Sequence, residues 1–507
     1  MTSHQLLYAQ QGLGGNVIKL IQLLPDAPET LPDIEVSGLK LDSRQVTHGD
    51  CFVAVPGYQV DGRHFINAAL QAGARAVLQQ ADNFSIEQRD AVAIISVPHL
   101  NEQLSAIGGR FYNQPSERLK LIGVTGTNGK TTVTHLVAQL YQGLAEKAAV
   151  LGTLGSGFID ALLAEKNTTP DALTVQSRLA GLANEGADVV AMEVSSHALV
   201  QGRVNDLRFA AVVATNVSRD HLDYHGSMES YAAAKQDLFD HYPARARIYN
   251  LDDPIVCGWY QQSARPAYGY SLEAPADGYN GEGVLRATGL EFDHEGAQFT
   301  LHWQGQQVAA RLSLLGEFNV SNALAALLVL LSEGYTLLDV VPLLSTLQPV
   351  AGRMETFSAP QRALAIVDYA HTPDALEQVL KAARRHCKGQ LWCVFGCGGD
   401  RDRGKRPQMG NVASQHADIV VVTDDNPRTE SAEAIIADVV SGVTGSAQII
   451  QHPGREAAVR YSLQHAQPDD VVVMAGKGHE DYQIVGTQTL DYNERAVVAA
   501  CMNEVAL

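Results

Sequence analysis

Seven consecutive residues, Gly126-Thr127-Asn128-Gly129-Lys130-Thr131-Thr132, carry the sharpest chemical signal in the 507-residue chain. Glycines let backbone N–H groups approach phosphate oxygens, and the start of a following helix adds positive potential. The Lys130 ammonium neutralises charge and the Thr131 hydroxyl is a ligand for Mg²⁺. The general phosphate-loop pattern asks for a glycine five residues before Gly129, where this chain has Val124, so the loop is a shortened variant. A magnesium-bound nucleotide also needs acidic or imidazole groups near the carboxyl ends of neighbouring strands. Glu193, at the end of the apolar run 188–192, and His221, after Thr215-Asn216-Val217-Ser218-Arg219-Asp220, stand in such places. His221 and His225 at i, i+4 also offer a zinc reading. It is the weaker one, because no glutamate follows the first histidine and Gly226 ends any long helix there.

Placing these groups requires a strand before the loop and a helix after it, and the sequence predicts both, at 119–125 and 130–144. Further strands at 188–194 and 209–215 and a helix at 228–239 make a strand–helix alternation, the pattern of a mostly parallel sheet covered by helices. Before it, from 36 to about 97, strand-like runs at 51–55 and 91–97 and a helical stretch at 64–71 read as a small α/β module, closed by the break Asn113-Gln114-Pro115-Ser116. Between 281 and 315 the pattern shifts to period-two alternation, as in Gln298-Phe299-Thr300-Leu301-His302-Trp303, which predicts an antiparallel ribbon. A strongly apolar helix is expected from Asn319 to Leu331. From about Gly352, strands at 363–367, 390–395, 418–422, 448–451 and 470–475 form a Rossmann-like, doubly wound block. The expectation is an α/β protein of three domains, 1–115, 116–350 and 351–507.

With 37 basic and 56 acidic side chains the net charge is −19, which argues against nucleic acid or an anionic membrane surface as the main partner. Anionic substrates must then be held by locally placed cations. No stretch approaches the roughly 18 to 20 uninterrupted apolar residues of a membrane span, and no basic-then-apolar leader opens the chain, so a cytoplasmic protein without membrane insertion is expected. Six cysteines are too sparse for a disulfide framework; the spacing of Cys387, Cys393 and Cys397 fits no zinc pattern, and structural thiols are expected.

Taken together, the loop, Glu193-Val194-Ser195-Ser196-His197, Thr215-Asn216 with Asp220-His221-Leu222-Asp223-Tyr224-His225-Gly226, Asn319 with Asn322, Gly352-Arg353-Met354-Glu355 and Asp368-Tyr369-Ala370-His371 stand in an order that resembles the Mur ligase family, across nearly the whole chain. Members are ATP-dependent, amide-forming ligases that extend the peptide of the cell-wall precursor. The set is most similar to the members that add diaminopimelate to UDP-N-acetylmuramoyl-L-alanyl-D-glutamate. The resemblance implies a UDP-binding domain, a central ATPase domain and a carboxy-terminal domain that brings the amino acid, with ATP and Mg²⁺ as cofactors and a monomeric protein.

Residue by residue, it implies nucleotide contacts from 126–132, Asn319, Asn322, Arg353 and Asp368. Lys130, Glu193, His221 and Lys235 become catalytic, and Thr131, Glu193, His221 and Lys235 hold metal. By itself Lys235 reads as a solvated helix lysine; the resemblance makes it a lysine carbamylated by CO₂. Leu41, Ser43, Tyr58, Gln59 and Val60 align with UDP-contacting segments, and Asn167, Thr168, Thr169, Ser195, Gln201 and Arg203 with those touching the muramoyl dipeptide. Tyr58 and Val60 stand where near relatives have histidine and alanine, at contacts made largely by backbone. Arg401, Asp425, Asn426, Pro427, Arg428, Gly476 and Glu480 match the amino-acid pocket, with Glu480 available for the substrate's ammonium. meso-Diaminopimelate differs from lysine by a carboxylate on its far carbon, which a guanidinium grips with two parallel hydrogen bonds. Read alone, Asn426-Pro427 is a turn after a strand. Three other readings compete: folylpolyglutamate synthetase or a lysine-adding ligase, a P-loop kinase, and a nucleotide-binding scaffold without catalysis. The 425–428 stretch speaks against the first, the large carboxy-terminal block against the second, and the intact Lys130, Thr131, Glu193 and His221 set against the third.

Overall fold

A computed structural model describes residues 17–57, 60–89, 91–263, 266–272, 283–293 and 296–504. The chain divides into two compact units, Met1–Tyr270 with Ala325–Gly334, and Ser271–Leu324 with Tyr335–Leu507.

In the first unit, strands β1 (Gly38–Lys40), β2 (Asp50–Ala54), β3 (Ala76–Gln80), β4 (Ser85–Arg89) and β5 (Val92–Val97) form a sheet of order β1-β2-β3-β5-β4. It is parallel except for β4, which runs antiparallel to β5. Every residue of β2 is buried, as a continuous apolar run in a parallel sheet requires. The expected helix at 64–71 resolves into a 3₁₀ turn, Gly62–Phe65, and a helix, Ile66–Gln71.

The following sheet contains β6 (Lys120–Thr125), β7 (Ala148–Gly152), β8 (Gly155–Phe158), β9 (Val189–Glu193), β10 (Phe209–Ala214), β11 (Ala244–Asn250) and β12 (Ala267–Ser271), in the order β8-β7-β9-β6-β10-β11-β12. All pairings in it are parallel except β7 with β8. The chain leaves β6 toward β7 on one side and later fills β10 to β12 on the other. The carboxyl end of β6 is therefore the point where strand order reverses, and open α/β sheets bind ligands in that crevice. Leu121, Val190, Met192 and Val212 face one core layer with Leu179, Leu238 and Trp259.

The second unit contains the antiparallel ribbon β13 (Val284–Asp293), β14 (Gly296–Trp303) and β15 (Gln306–Leu312). Its larger sheet has β16 (Glu355–Phe357), β17 (Leu364–Asp368), β18 (Leu391–Phe395), β19 (Ile419–Val422), β20 (Gln448–Gln451) and β21 (Val471–Ala475), in the order β16-β17-β21-β18-β19-β20. β17 to β21 are parallel and β16 is antiparallel to β17. Alternate residues feed two cores: Ile366, Cys393, Phe395, Val420 and Val473 one, Val367, Trp392, Val394, Val421 and Val472 the other. A hairpin, β22 (Tyr482–Val485) with β23 (Gln488–Asp491), follows β21. The apolar helix spans Glu317–Ser332 and starts two residues earlier than expected. Among the described residues no helix is long and apolar enough to cross a membrane.

Candidate active site

β6 delivers the phosphate loop, and a helix over Lys130–Gly143 leaves it with Gly129 at its N-cap. Gly126 adopts φ +147°, and a Cβ there would lie 1.9 Å from Thr215 Oγ1, so only glycine fits. Thr215 and Asn216, just beyond β10, cradle the loop. Thr127 N donates to Asn216 O at 2.8 Å, Asn128 N to Asn216 Oδ1 at 2.9 Å, and Thr215 Oγ1 to Asn128 O at 2.6 Å. Lys130 Nζ folds back onto Gly126 O and Thr127 O, each at 2.9 Å.

Glu193 closes β9 with 1% exposure, a buried carboxylate and not a solvated one. Thr131 Oγ1 donates to Glu193 Oε1 at 2.9 Å, and Thr153 donates from N at 2.8 Å and from Oγ1 at 3.2 Å. Gly152 makes the room: a Cβ there would meet Glu193 Oε1 at 2.3 Å. Two hard oxygen donors, a hydroxyl and a carboxylate, thus face each other at the base of a phosphate loop, a pairing that suits Mg²⁺ completed by phosphate oxygens and water. Among the described residues no three His, Cys, Asp or Glu side chains gather into a protein-only metal cluster.

The surface-charge reading of Lys235 is corrected outright. Its helix, Met228–Asp240, buries Tyr231, Lys235, Leu238 and Phe239 on one face, and Lys235 is 1% exposed. Its Nζ donates to Gly126 O at 2.8 Å, the oxygen that also receives Lys130, and lies 4.6 Å from the Tyr231 ring centroid. Burial, then repulsion from Lys130, drives its pKa well below that of an ordinary lysine, while Asp220 opposes the change. The side chain is therefore pushed toward its uncharged amine form within reach of the phosphate loop. Tyr231 Oη shares a hydrogen with Thr127 Oγ1 at 3.2 Å. His221, half-exposed at φ +51°, places its ring 6.2 Å from that of Tyr231 and 5.0 Å from that of His197. Burial first, then His221 and His225, hold His197 down at about 4.

A second hydrogen-bonded patch joins this one through Glu193 and Thr153. Thr169 Oγ1 donates to Glu193 O at 2.8 Å and accepts from Ser195 N at 3.1 Å, and Thr168 and Thr153 hydroxyls meet at 3.0 Å. Arg203 Nη1 donates to Thr169 O at 2.5 Å, and its Nε and Nη2 donate to Gln201 Oε1. The structure thus joins Thr168, Thr169, Ser195, Gln201 and Arg203 in one hydrogen-bonded patch, with exposed Asn167 beside Thr168 in the chain. Leu41 and Ser43 lie just after β1, with Ser43 buried. Tyr58 and Gln59 lie outside the described residues, and Val60 is exposed.

In the second unit, Asn319 Nδ2 donates to Leu315 O at 2.8 Å and Asn322 Nδ2 to Asn319 Oδ1 at 3.2 Å, both residues being buried. Asp368 ends β17, accepts Met354 N at 2.7 Å and Ala370 N at 2.8 Å, and has its pKa raised by burial against the pull of Arg353. The Arg353 guanidinium lies 4.8 Å from the Tyr369 ring centroid, and its buried Nε has no hydrogen-bond partner among the described residues.

Three loops converge at the carboxyl ends of β18, β19 and β21. Gly399 N donates to Asn426 O at 2.9 Å, and Arg428 Nη1 donates to Gly399 O at 2.9 Å. The other two nitrogens of Arg428 make no hydrogen bond among the described residues, which leaves one edge of a planar fork for a carboxylate. Asn426 Nδ2 donates to Glu480 Oε2 at 3.1 Å. Arg401 is exposed on the 396–402 loop, its Nη1 donating to Asp400 O at 3.2 Å. Gly476, at φ +112°, opens the third loop. Thr153, Tyr231 and Lys477 take part in these networks and were not singled out from sequence. Cys393 and Cys397 are buried thiols pushed up to about 12, Cys397 Sγ lying 3.6 Å from Met409 Sδ.

Residues 35–112 match the Mur ligase family catalytic domain, 124–330 the Mur ligase middle domain, and 352–478 the Mur ligase glutamate ligase domain. The chain is 47% identical over 490 residues to a Vibrio vulnificus UDP-N-acetylmuramoyl-L-alanyl-D-glutamate--2,6-diaminopimelate ligase, covering 95% of this chain and 97% of that protein. A solved ligase of the same name is 36% identical with a TM-score of 0.70, over 96% of this chain and 99% of the other. Folylpolyglutamate synthase of Mycobacterium tuberculosis shares the fold at 16% identity, with a TM-score of 0.58 over 79% and 94%. With a phosphate loop at the strand-order reversal, Thr131 and Glu193 paired beneath it, and near full-length likeness to these ligases, the chain belongs to the Mur ligase family.

Proposed function

We propose that this protein is an ATP-dependent ligase that joins meso-diaminopimelate to UDP-N-acetylmuramoyl-L-alanyl-D-glutamate in the synthesis of the peptidoglycan precursor. What carries the reading is the near full-length likeness to the Vibrio vulnificus ligase, in a chain that keeps Arg428 with an unengaged edge beside Asn426 and Glu480. Residues 1–115 would bind the UDP moiety, 116–350 ATP, and 351–507 the amino acid. The protein works as a monomer in the cytoplasm.

A carboxylate is a poor electrophile, so the D-glutamate side chain must be activated. Its γ-carboxylate oxygen attacks the γ-phosphorus of ATP, the bond to the β-phosphate oxygen breaks, and ADP leaves an acyl phosphate. The neutral amine of diaminopimelate then attacks the acyl carbon, orthophosphate departs with the C–O bond pair, and the amine proton is lost. The first step gathers several negative charges, so this chain's task is positioning and neutralisation. Lys130 leaves its two loop carbonyls for the phosphates, while the loop N–H groups hold their oxygens. Asn319 and Asn322 bind adenine, and Arg353, with its unsatisfied buried Nε, and Asp368 engage the nucleotide. Leu41, Ser43, Tyr58, Gln59 and Val60 hold UDP; Asn167 to Thr169, Ser195, Gln201 and Arg203 hold the muramoyl dipeptide.

Thr131, Glu193, His221 and a carbamylated Lys235 would hold Mg²⁺, whose chemistry when bound is to neutralise phosphate charge. A lowered pKa favours the uncharged amine of Lys235, whose lone pair can add to CO₂: an N–C bond forms, a proton leaves the nitrogen, and the side chain ends in a carboxylate. Arg401 and the 425–428 loop take the amino acid, with Arg428 on its far carboxylate. A site built to pair a polar group rejects the analogue lacking it by about 10⁴- to 10⁵-fold.

ADP release from purified protein tests this. Turnover should require UDP-muramoyl dipeptide and diaminopimelate together, and equal turnover with lysine would refute the substrate assignment.

A further inference from the structure

The loop after β21 carries a charged side chain that the scheme above leaves without a role. Lys477, flanked by two glycines, is 0% exposed. Its ammonium donates to Asn426 Oδ1 at 2.7 Å, Tyr482 O at 2.8 Å and Glu480 Oε2 at 3.1 Å, and lies 3.5 Å from Asp425 Oδ1. Three N–H bonds thus meet three acceptors, drawn from the 423–430 loop, from β22 and from its own loop.

Two of the three acceptors, on Asn426 and Glu480, belong to residues assigned above to the amino-acid pocket. Asn426 Oδ1 also accepts Ile484 N at 2.9 Å, and Ile484 O accepts Arg428 N at 3.1 Å, while Gly486 N donates to Arg428 O at 2.7 Å. Arg428 is thereby fixed at φ +51°, a conformation that a non-glycine residue holds only when its surroundings impose it. On the other side, Glu480 and Asp425 are carboxylates with side chains 14% exposed, and buried Asp425 Oδ1 has no hydrogen-bond partner among the described residues. Lys477 is the cation between them.

We propose that Lys477 is the positioning residue that sets amino-acid selectivity. It draws the Asp425 and Glu480 carboxylates to one place for the far ammonium of the substrate, and through Asn426 and β22 it holds Arg428 for the far carboxylate. The inference rests on this loop cluster being the diaminopimelate pocket. Lysine lacks that carboxylate, so its rejection depends on Arg428 staying in place with nothing to pair.

The test uses K477M, which keeps the stem and deletes the charge, and K477Q, which keeps donors near the same volume and tolerates burial beside Asn426 if K477M does not fold. Kinetics are measured with diaminopimelate, lysine, ATP and UDP-muramoyl dipeptide each varied in turn. Truncating one partner of a buried charge cluster should raise KM for diaminopimelate roughly 30- to 100-fold and lower the diaminopimelate-to-lysine ratio of kcat/KM at least about tenfold. KM for ATP and for the dipeptide should stay within about twofold, and kcat within about threefold. KM for diaminopimelate and the selectivity ratio unchanged in a folded variant, or all three KM values rising together, would overturn the proposal. Wild-type protein assayed alongside separates the failures: no ligation of diaminopimelate by wild type removes the pocket assignment, whereas normal wild-type selectivity with unaltered variants removes only Lys477.

Discussion

Replacing Lys235 by alanine should cost activity far more than stability, and the reason lies in one carbonyl. Lys235 Nζ and Lys130 Nζ stand 2.8 and 2.9 Å from Gly126 O. Two unit charges at about 5 Å, in an effective dielectric constant near 20, repel by about 3 kcal/mol. Burial is the larger cause, and the two together push the pKa of Lys235 well below the ordinary value. A carbamate in its place would attract Lys130 by about 3 kcal/mol on the same arithmetic, where an ammonium would be repelled, and would put an anionic oxygen beside the phosphate loop. Loss of one preorganised electrostatic group from a site of this kind lowers kcat by about 10²- to 10³-fold. The assay is ADP release in CO₂-depleted buffer, titrated with bicarbonate at constant pH. Wild-type turnover should rise with bicarbonate, and protein equilibrated with ¹³CO₂ should show a carbamate carbon. Lys235→Ala should be slow, indifferent to bicarbonate and partly restored by formate or acetate. Full activity of the alanine variant, or wild-type turnover indifferent to CO₂ with no carbamate carbon, would refute the reasoning.

The same lysine makes a stability prediction. Its folded-state pKa lies below the ordinary 10.5, so the folded chain binds fewer protons than the unfolded one in that window, and stability rises with pH toward 10.5. In urea titrations without CO₂, wild type should gain on Lys235→Met as the pH rises toward 10.5; parallel curves would contradict this. Glu193→Gln should lower kcat about 10²- to 10³-fold and raise the Mg²⁺ concentration needed for half-maximal rate; an unchanged Mg²⁺ dependence would remove Glu193 from the metal site. Arg428→Ala should reduce preference for diaminopimelate over lysine by at least about 10²-fold, mostly through KM for diaminopimelate, since it removes a two-bond grip on a carboxylate. Retained preference would place that recognition elsewhere.

The phosphate loop, Glu193 and the carboxyl-end loops of the second unit were legible because each follows a continuous apolar strand, and strand ends are where such sheets put their ligands. Lys235 was not legible as a surface lysine should be, yet the signal was present: Tyr231, Lys235, Leu238 and Phe239 share one helical face, and a lysine on an apolar stripe is held there for a reason. Lys477 left no local trace, because its partner Asn426 lies 51 residues away in sequence. β4 and the β22–β23 hairpin escaped notice for a different reason. Ser85–Arg89 is mostly exposed at a sheet edge and β23 is exposed throughout, so neither shows apolar alternation. Gly486-Thr487 between β22 and β23 was the remaining cue, a two-residue turn opened by glycine. The helix over Glu317–Ser332 began early because Glu317 precedes the apolar run that marks its body.

The central claim is that a carboxyl oxygen becomes reactive by receiving the terminal phosphoryl group of ATP before the amine arrives. UDP-muramoyl dipeptide labelled with ¹⁸O in the D-glutamate γ-carboxylate, turned over with ATP and diaminopimelate, tests it directly by mass analysis of the released orthophosphate. One labelled oxygen in each orthophosphate formed per amide is the predicted result. Unlabelled orthophosphate during productive amide formation would contradict the account.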